Sequence, residues 1–233
     1  MNVLPIKTAV FSEGDNLFAF ITTHLKSLAE GSVLVVTSKI VSLAEGRTEK
    51  IIDENTKIAL ILKESDDAIP TKYAWLTVKD GVLMASAGID ESNANGKLIM
   101  LPKDSFAVAR QLRKALKQHY GVSRLGVLIT DSRTLPLRAG VMGVALGYAG
   151  FKGIKDYRGK KDLFGRPFHF SRVDVADSLA TSAVLVMGEG SEQCPLAVIT
   201  EAPVVYCERV QRKELFIELT EDMYRPYFDH LSS

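Results

Sequence analysis

Three stretches of the chain carry hydrophobic residues at the spacing of an amphipathic helix. Leu17, Phe20 and Ile21 begin the first such pattern, and the clearest pattern runs through residues 104–121. Apolar side chains that recur every three to four residues line up on one face of a helix. The predicted caps and glycine stops are Asp15 and Gly31, Asp104 and Gly121, and Asp177 and Gly188.

Shorter runs of apolar and β-branched residues predict strands between these helices. A hairpin is predicted around Lys79-Asp80-Gly81, because Asp-Gly favours a tight turn. The other predicted strands are 32–39, 125–130, 139–153 and 195–201, and the tail, 211–228, is predicted to be partly helical. Helices and strands do not alternate regularly, so the pattern favours an α+β fold. We treat residues 1–233 as a single unit, with room for two subdomains whose boundary the sequence does not fix.

Composition narrows the class of protein without naming a function. Hydrophobic residues make up 46% of the chain, charged residues 24%, and the net charge is +1. A balance this close to neutral argues against nucleic acid or an anionic membrane as partner. Two cysteines build no disulfide framework, and the N-terminus lacks an apolar signal core. We therefore expect a cytoplasmic protein that does not span a membrane.

Three acidic residues follow apolar elements in similar surroundings. Asp90 stands in SAGIDESN, Asp131 ends LITD, and Glu189 stands in MGEGS, each among small residues or glycines. Carboxylates that project beside exposed backbone are suitable oxygen ligands for Mg²⁺ or Mn²⁺. The alternative is that each acid caps a turn, which is the more common role of a single loop carboxylate.

A basic segment, residues 152–166, interleaves cations with glycines and aromatic rings. Lysine and arginine there could hold phosphate or carboxylate groups. The alternative is a solvated loop in which Asp156 and Asp162 neutralise part of the charge. The cations that we name as candidate anion-binding residues are Lys155, Arg158, Lys160, Lys161 and Arg166.

Five motifs in this order resemble the coenzyme F-420 γ-glutamyl ligase family. They are VLVVTSKIVSLAEGR, SAGIDESN, GVLITDS, GIKDYRGKKDLFGRP and LVMGEGSEQCP. Together they extend from the first helix to about residue 200, and the set is more specific than any of its members. The last thirty or so residues carry no matching motif.

The resemblance implies an amide ligase that joins L-glutamate to a carboxylate of a cofactor precursor, of the F-420-0 or the folate type. It implies GTP or ATP as co-substrate, two divalent ions (Mg or Mn), an optional monovalent cation, and an intertwined homodimer with a mixed-sheet fold particular to the family. The basic segment would suit either the polyanionic precursor or the triphosphate of the nucleotide. The implied metal ligands are Asp90, Asp131, Ser132 and Glu189. The implied nucleotide contacts are Ser38, Lys39, Asn93, Met187, Gly188, Gly190, Ser191 and Glu192.

This chain departs from the family pattern on the nucleotide side. Leu43 stands where the family commonly has a lysine, and Lys39 is the nearest candidate to replace it. Lys7-Thr8-Ala9 replaces a glycine- and proline-containing segment, and Arg133 follows Ser132 where a small amide is usual. These changes keep two alternatives open: a non-catalytic nucleotide- or anion-binding homologue, and a metal-dependent phosphohydrolase.

Overall fold

The computed structural model describes residues 1–226, and within them helices and strands are intermixed. The strands are β1 (Asn2–Ile6), β2 (Ser32–Thr37), β3 (Thr48–Lys50), β4 (Asp67–Pro70), β5 (Trp75–Lys79), β6 (Val82–Ala85), β7 (Lys97–Ile99), β8 (Leu125–Thr134), β9 (Val141–Ala149), β10 (Ile154–Asp156), β11 (Arg172–Asp174) and β12 (Leu196–Thr200). The helices are α1 (Leu17–His24), α2 (Ser38–Ala44), α3 (Glu54–Glu64), α4 (Ser105–Tyr120) and α5 (Val175–Met187). Short 3-10 turns cover Ser86–Gly88 and Leu219–Glu221.

A five-stranded mixed sheet forms the centre of the molecule, in the order β1-β12-β2-β8-β9. β2 and β8 run parallel, whereas the other three neighbouring pairs are antiparallel. This mixture of helices with a largely antiparallel sheet fits the predicted α+β class.

Both faces of the central sheet are covered, so its middle strands are almost continuously apolar. One face packs against α1, α2 and α4 through side chains such as Ile21, Leu116 and Val127. The other face packs against α5, with Leu179 and Ala183 set against Val35. A strand buried on both sides needs no polar alternation, which explains the four consecutive hydrophobic residues VLVV within β2.

Three small sheets surround the central one. They pair β3 with β7, β10 with β11, and β4 and β6 with β5. α3 packs there around Ile61, Leu98 and Met100, in a separate small cluster of buried side chains. The Asp80-Gly81 turn joins β5 to β6 with positive φ at both residues, as the sequence predicted.

Helix boundaries were predicted with mixed success. α4 is capped by Asp104 and stopped by Gly121, as expected. α1 ends at His24, well before Gly31, and Asn16 rather than Asp15 caps it by accepting from the Ala19 N–H. α5 begins at Val175 because Asp174 is its cap, so the prediction of Asp177 was wrong by three residues. In both corrected cases a neighbouring Asn or Asp could cap equally well, and tertiary contacts decided between them.

The ends of other predictions also changed. The strand predicted at 32–39 ends at Thr37 because α2 begins at the next residue, and the strand predicted at 139–153 spans Val141–Ala149. β8 continues through the polar residues 131–134, because β9 pairs with it as far as Thr134. Within residues 1–226 the tail predicted to be partly helical contains the 3-10 turn Leu219–Glu221 and helical residues at 225–226, and residues 227–228 lie outside the described part. In that described part, no helix combines the length and hydropathy that crossing a bilayer requires.

Candidate functional site

A cavity of about 490 Å³ opens at the carboxyl ends of β2 and β8. Three loops complete its wall: the N-terminal segment 8–11, the segment after the Ser86–Gly88 turn, and the loop that follows α5. Four carboxylates line it, but Lys39 is the single cationic side chain among its described lining residues. The acids are Asp90, Asp131, Glu189 and Glu192.

Asp131 reaches the cavity because two parallel strands end together. In the register of β2 and β8, Thr37 lies beside Thr130, so the next residues of the two chains, Ser38 and Asp131, are neighbours. The Ser38 hydroxyl donates to Asp131 Oδ1 at 3.2 Å. Burial raises the pKa of Asp131 above its ordinary value, and the charge of Arg133 opposes that rise.

Asp90 enters the same cavity from the other side, where it is clamped by Lys39 and Ser92. Its backbone forms a two-way bridge with Ile99, which fixes its position. Lys39 Nζ lies 2.6 Å from Asp90 Oδ2, and the Ser92 N–H donates to Oδ1 at 2.7 Å. Burial acts to raise the pKa of Asp90, but the ammonium and Ser92 outweigh it and hold that pKa below its ordinary value.

Ser132 and Glu189 form a second pair of oxygen-bearing side chains at the cavity. Ser132 Oγ donates to Glu189 Oε2 at 3.0 Å. The contact depends on Gly143, the cross-strand partner of Ser132, because a Cβ there would lie 2.3 Å from the Ala180 carbonyl oxygen. Glycine therefore allows α5 to lie directly on β9, and the helix delivers Glu189 to the tip of β8.

The loop after α5 is tied across the cavity to the segment that carries Asp90. Asn93 Nδ2 donates to the Gly190 carbonyl at 3.2 Å, and the Gly190 N–H donates to Glu192 Oε2 at 2.8 Å. All eight predicted nucleotide contacts line the cavity: Ser38, Lys39, Asn93, Met187, Gly188, Gly190, Ser191 and Glu192.

The altered N-terminal segment also belongs to the cavity wall. The Thr8 N–H donates to the Gln193 carbonyl at 3.0 Å, which joins this segment to the loop after α5. The Ala9 N–H donates to His24 Nε2 at 3.0 Å, while Nδ1 of the same ring lies 2.9 Å from the Phe20 carbonyl. The ring therefore bridges α1 to the N-terminal segment, with one nitrogen facing the Ala9 N–H and the other facing the Phe20 carbonyl.

Two site residues escaped sequence reasoning. Ser42 is one of the residues that line the cavity, and its buried hydroxyl has no hydrogen-bond partner within residues 1–226. His24 belongs to none of the five motifs. A pattern of apolar spacing carries no signal for either role, because both arise from which loop lies beside the helix.

Arg133, which the sequence left unexplained, is largely buried beside Asp131 on β8. Its charge interacts with Asp131, Asp177 and Asp80, and its Nε has no hydrogen-bond partner within the described residues. Burial lowers the pKa of Arg133 below its ordinary value, against the attraction of those carboxylates. The guanidinium thus provides positive charge beside Asp131, although Arg133 is not among the residues that line the cavity.

The basic segment lies outside the cavity: none of its cations is among the residues that line it. It forms the excursion between β10 and β11, where Arg158 pairs with Asp156 and where Lys155 and Lys160 each lie 5.2 Å from the Tyr157 ring centroid. Leu163 and Phe164 are almost fully exposed at its far end.

The acids converge in two pairs of groups, not in one cluster. Asp90 and Asp131 are close enough for their charges to interact, and Glu189 meets Ser132. Within residues 1–226, no three His, Cys, Asp or Glu side chains come together as a ready metal cage. The predicted meeting of three acids around two cations therefore stays a prediction.

Comparison with known proteins identifies the family. The model of the F-420-0:γ-glutamyl ligase family matches residues 5–201, which is most of the chain. The chain belongs to this family. Coenzyme F-420:L-glutamate ligase of Methanocaldococcus jannaschii is 30% identical over 245 residues, which cover 97% of both proteins.

Other proteins of that name are similarly related to this family member. The one from Methanococcus maripaludis is 33% identical over 216 residues, covering 85% of this chain and 86% of that protein. The one from Archaeoglobus fulgidus is 34% identical over 219 residues, covering 85% of this chain and 87% of that protein. The match to the γ-glutamyl ligase family confirms the resemblance that the five motifs indicated.

Proposed function

We propose that this chain is a metal- and nucleotide-dependent ligase that joins L-glutamate, through its amine, to a carboxylate of an F-420-0-type precursor. The relatives named above support the glutamate and the F-420-type acceptor. The observation that carries the chemistry is the cavity itself, in which Asp90, Asp131 and Glu189 line the same space together with Lys39. Such a set of groups suits a phosphorylated co-substrate bound through divalent cations.

The carboxylate and hydroxyl oxygens of the cavity are suitable ligands for hard divalent cations that are also bound by phosphate oxygens of a substrate. Asp90 and Asp131 would hold one ion, and Ser132 and Glu189 the other. Mg²⁺ keeps several waters and takes one or two carboxylates plus phosphate oxygens, so two protein ligands for each ion suffice. When bound, the ions would offset the negative charge of the phosphate oxygens. The optional monovalent cation has no separate support.

The nucleotide side offers hydrogen-bond donors in place of the missing family lysine. Lys39 is the cation of the cavity, and the unpartnered Ser42 hydroxyl lies one residue before Leu43. A buried hydroxyl without a partner is destabilising unless a ligand or water satisfies it. We infer that GTP or ATP lies along α2 and the loop after α5, with Ser42 among its contacts.

The proposed reaction balances with one nucleotide for each amide. A carboxylate oxygen of the acceptor attacks the γ-phosphorus, and the nucleoside diphosphate leaves with the electrons of the broken P–O bond. The resulting acyl phosphate has a good leaving group. The glutamate amine attacks its carbonyl carbon, inorganic phosphate leaves, and the nitrogen gives up a proton as the amide forms.

The basic segment is the best candidate to hold the polyanionic acceptor, because the cavity itself is rich in carboxylates. Its five candidate cations are exposed. The homodimer implied by the resemblance belongs to the same proposal, and light scattering coupled to size-exclusion chromatography would test it.

A phosphate-release assay tests the proposed function. Purified protein with Mn²⁺, either GTP or ATP, and an F-420-0 acceptor should release phosphate only when L-glutamate is present. A folate-type acceptor in parallel distinguishes the two precursor classes. Release without glutamate would indicate a phosphohydrolase, and binding without any turnover would indicate a non-catalytic homologue; either result would refute the ligase.

A further inference from the structure

The ammonium group of Lys39 is held entirely by oxygen atoms around Asp90. Nζ lies 2.6 Å from Asp90 Oδ2, and it donates to the Ser92 carbonyl at 2.7 Å and to Ser92 Oγ at 3.1 Å. An ammonium has three N–H donors, so these contacts use all of them. The lysine thus sits as a cation in a small site made of a carboxylate, a carbonyl and a hydroxyl.

The carboxylate of Asp90 is equally occupied. Oδ1 accepts the Ser92 N–H at 2.7 Å, and Oδ2 accepts both Lys39 Nζ and Ser92 Oγ, the latter at 3.0 Å. A divalent ion that coordinates Asp90 would meet the ammonium a few ångströms away, where two positive charges repel. Because Oδ2 already accepts from two groups, an ion that coordinates it would have to displace one of them.

A phosphate bound in the cavity would offer the Lys39 ammonium a second partner. The Lys39 side chain lines the cavity in which we place the nucleotide, and no other cation lines that cavity within the described residues. An ammonium that leaves Asp90 would therefore enter a space otherwise bordered by carboxylates and neutral groups. A phosphate is the ligand that would satisfy it there.

We propose that Lys39 and a divalent cation exchange at Asp90: binding of the ion displaces the ammonium, which then pairs with a phosphate of the nucleotide. This inference rests on the proposed function, since it assumes that Asp90 is a metal ligand. It makes Lys39 a positioning residue with two alternative partners. By linkage, ion and nucleotide then bind cooperatively, because each removes a group that would oppose the other.

A purely structural role for Lys39 predicts different behaviour. If the lysine only fixed the Ser92 segment, its removal would loosen Asp90 and weaken the binding of an ion. If it competes with the ion, its removal should strengthen that binding. The sign of the change therefore separates the two roles.

The test measures Mn²⁺ binding by electron paramagnetic resonance of the free ion, with the full chain and no acceptor. Lys39→Gln should tighten Mn²⁺ binding by about tenfold, within the range for residues in direct contact. Lys57→Gln is the matched control, because Lys57 pairs with the adjacent Glu91 and does not line the cavity. That control removes the same charge and should change the affinity by less than about twofold. Circular dichroism should show that both variants fold.

A double-mutant cycle locates the effect. In an Asp90→Asn background, Lys39→Gln should lose most of its influence on Mn²⁺ affinity, because the contested carboxylate is absent. Adding GDP should tighten Mn²⁺ binding less in Lys39→Gln than in the natural protein. If Lys39→Gln tightens Mn²⁺ binding as much in the Asp90→Asn background as in the natural protein, the loss of one positive charge explains the result without any competition at Asp90. That outcome would overturn the exchange.

Two further outcomes separate this inference from the proposed function. If the natural protein binds Mn²⁺ and Lys39→Gln binds it equally or more weakly, the exchange is overturned. The proposed ligase function is not affected by that result. If neither protein binds Mn²⁺, with or without GDP, the metal dependence of the proposed function fails, and the exchange fails with it.

Discussion

The cavity and the basic segment hold opposite charges and are built in opposite ways. Two of the cavity acids stand at the ends of core elements: the register of β2 with β8 sets the position of Asp131, and the packing of α5 on Gly143 sets that of Glu189. The cations of the basic segment are held locally, by neighbours such as Asp156 and Tyr157, and its tip residues Leu163 and Phe164 are exposed.

This difference suggests a division of labour. Groups that must hold ions and phosphates in fixed geometry are placed on rigid elements, whereas groups that attract a large anion tolerate a looser arrangement. Substitutions in the cavity should therefore reduce turnover, and substitutions in the basic segment should mainly reduce affinity for the acceptor.

The largest expected effect is that of Asp131→Asn. The amide keeps the shape of the side chain but removes the charge that would bind the ion, so the ligase rate should fall by at least about a hundredfold. Steady-state phosphate release measures it. Asp156→Asn is the control from the basic segment and should change the rate by less than about threefold, because exposed ion pairs contribute little. Similar losses in both variants would remove the distinction between the regions.

A smaller effect is expected from Lys160→Gln combined with Lys161→Gln. Loss of two exposed charges should raise KM for the acceptor by about tenfold, while kcat and KM for the nucleotide stay within about twofold. The increase should shrink at high salt, because screening already weakens the attraction. A matching rise in KM for the nucleotide would place these lysines with the cavity instead.

Ser42→Ala should have effects of opposite sign on binding and stability. If the hydroxyl contacts the nucleotide, KM for the nucleotide should rise severalfold, since such a bond contributes about 1 kcal/mol. The free protein should become no less stable to urea, because the variant removes a buried hydroxyl that has no internal partner. A loss of stability without a change in KM would show that Ser42 serves the fold.

The smallest effect concerns Asp174, the residue that caps α5. This end of the helix lies beside the basic segment, and the other end reaches the cavity. Burial raises the pKa of Asp174 to about 6, with Asp177 adding repulsion. The folded state therefore binds a proton that the unfolded chain releases. Its stabilising contribution is complete below about pH 4 and is lost as the pH rises through about 6.

In Asp174→Asn the side-chain oxygen still accepts from the Asp177 N–H, so the helix cap is kept, but the titrating carboxyl group is removed. After allowance for partial exposure, the variant should be about 1 kcal/mol more stable than the natural protein at pH 8, with little difference at pH 4. Urea denaturation at the two pH values gives the comparison. A constant difference at both would show that Asp174 does not titrate in this range.

The sequence was most informative where local chemistry decides the structure. The cap at Asp104, the stop at Gly121 and the Asp80-Gly81 turn are local signals, and all three were predicted correctly. The caps of α1 and α5 were misplaced, because two candidate caps stood close together. The short strands β1, β3, β4, β7, β10 and β11 were not predicted, since their pairing depends on distant partners.

The same limit applies to the site. The motifs indicated Asp90, Asp131, Ser132 and Glu189 individually, but the hydrogen bonds from Ser38 to Asp131 and from Ser132 to Glu189 depend on sheet register and helix packing. Ser42 lies within the first motif, but nothing in that motif marks its hydroxyl as buried without a partner. His24 belongs to no motif, and its contact with Ala9 joins residues 15 positions apart, which no local pattern predicts.

Transfer of oxygen-18 tests the proposed reaction most directly. An F-420-0 acceptor labelled in its reacting carboxylate is incubated with the protein, Mn²⁺, GTP and L-glutamate, and the inorganic phosphate is analysed by mass spectrometry. An acyl phosphate requires that each amide formed leave one labelled oxygen in phosphate. Amide formation with unlabelled phosphate, or phosphate release that does not depend on glutamate, would contradict the account.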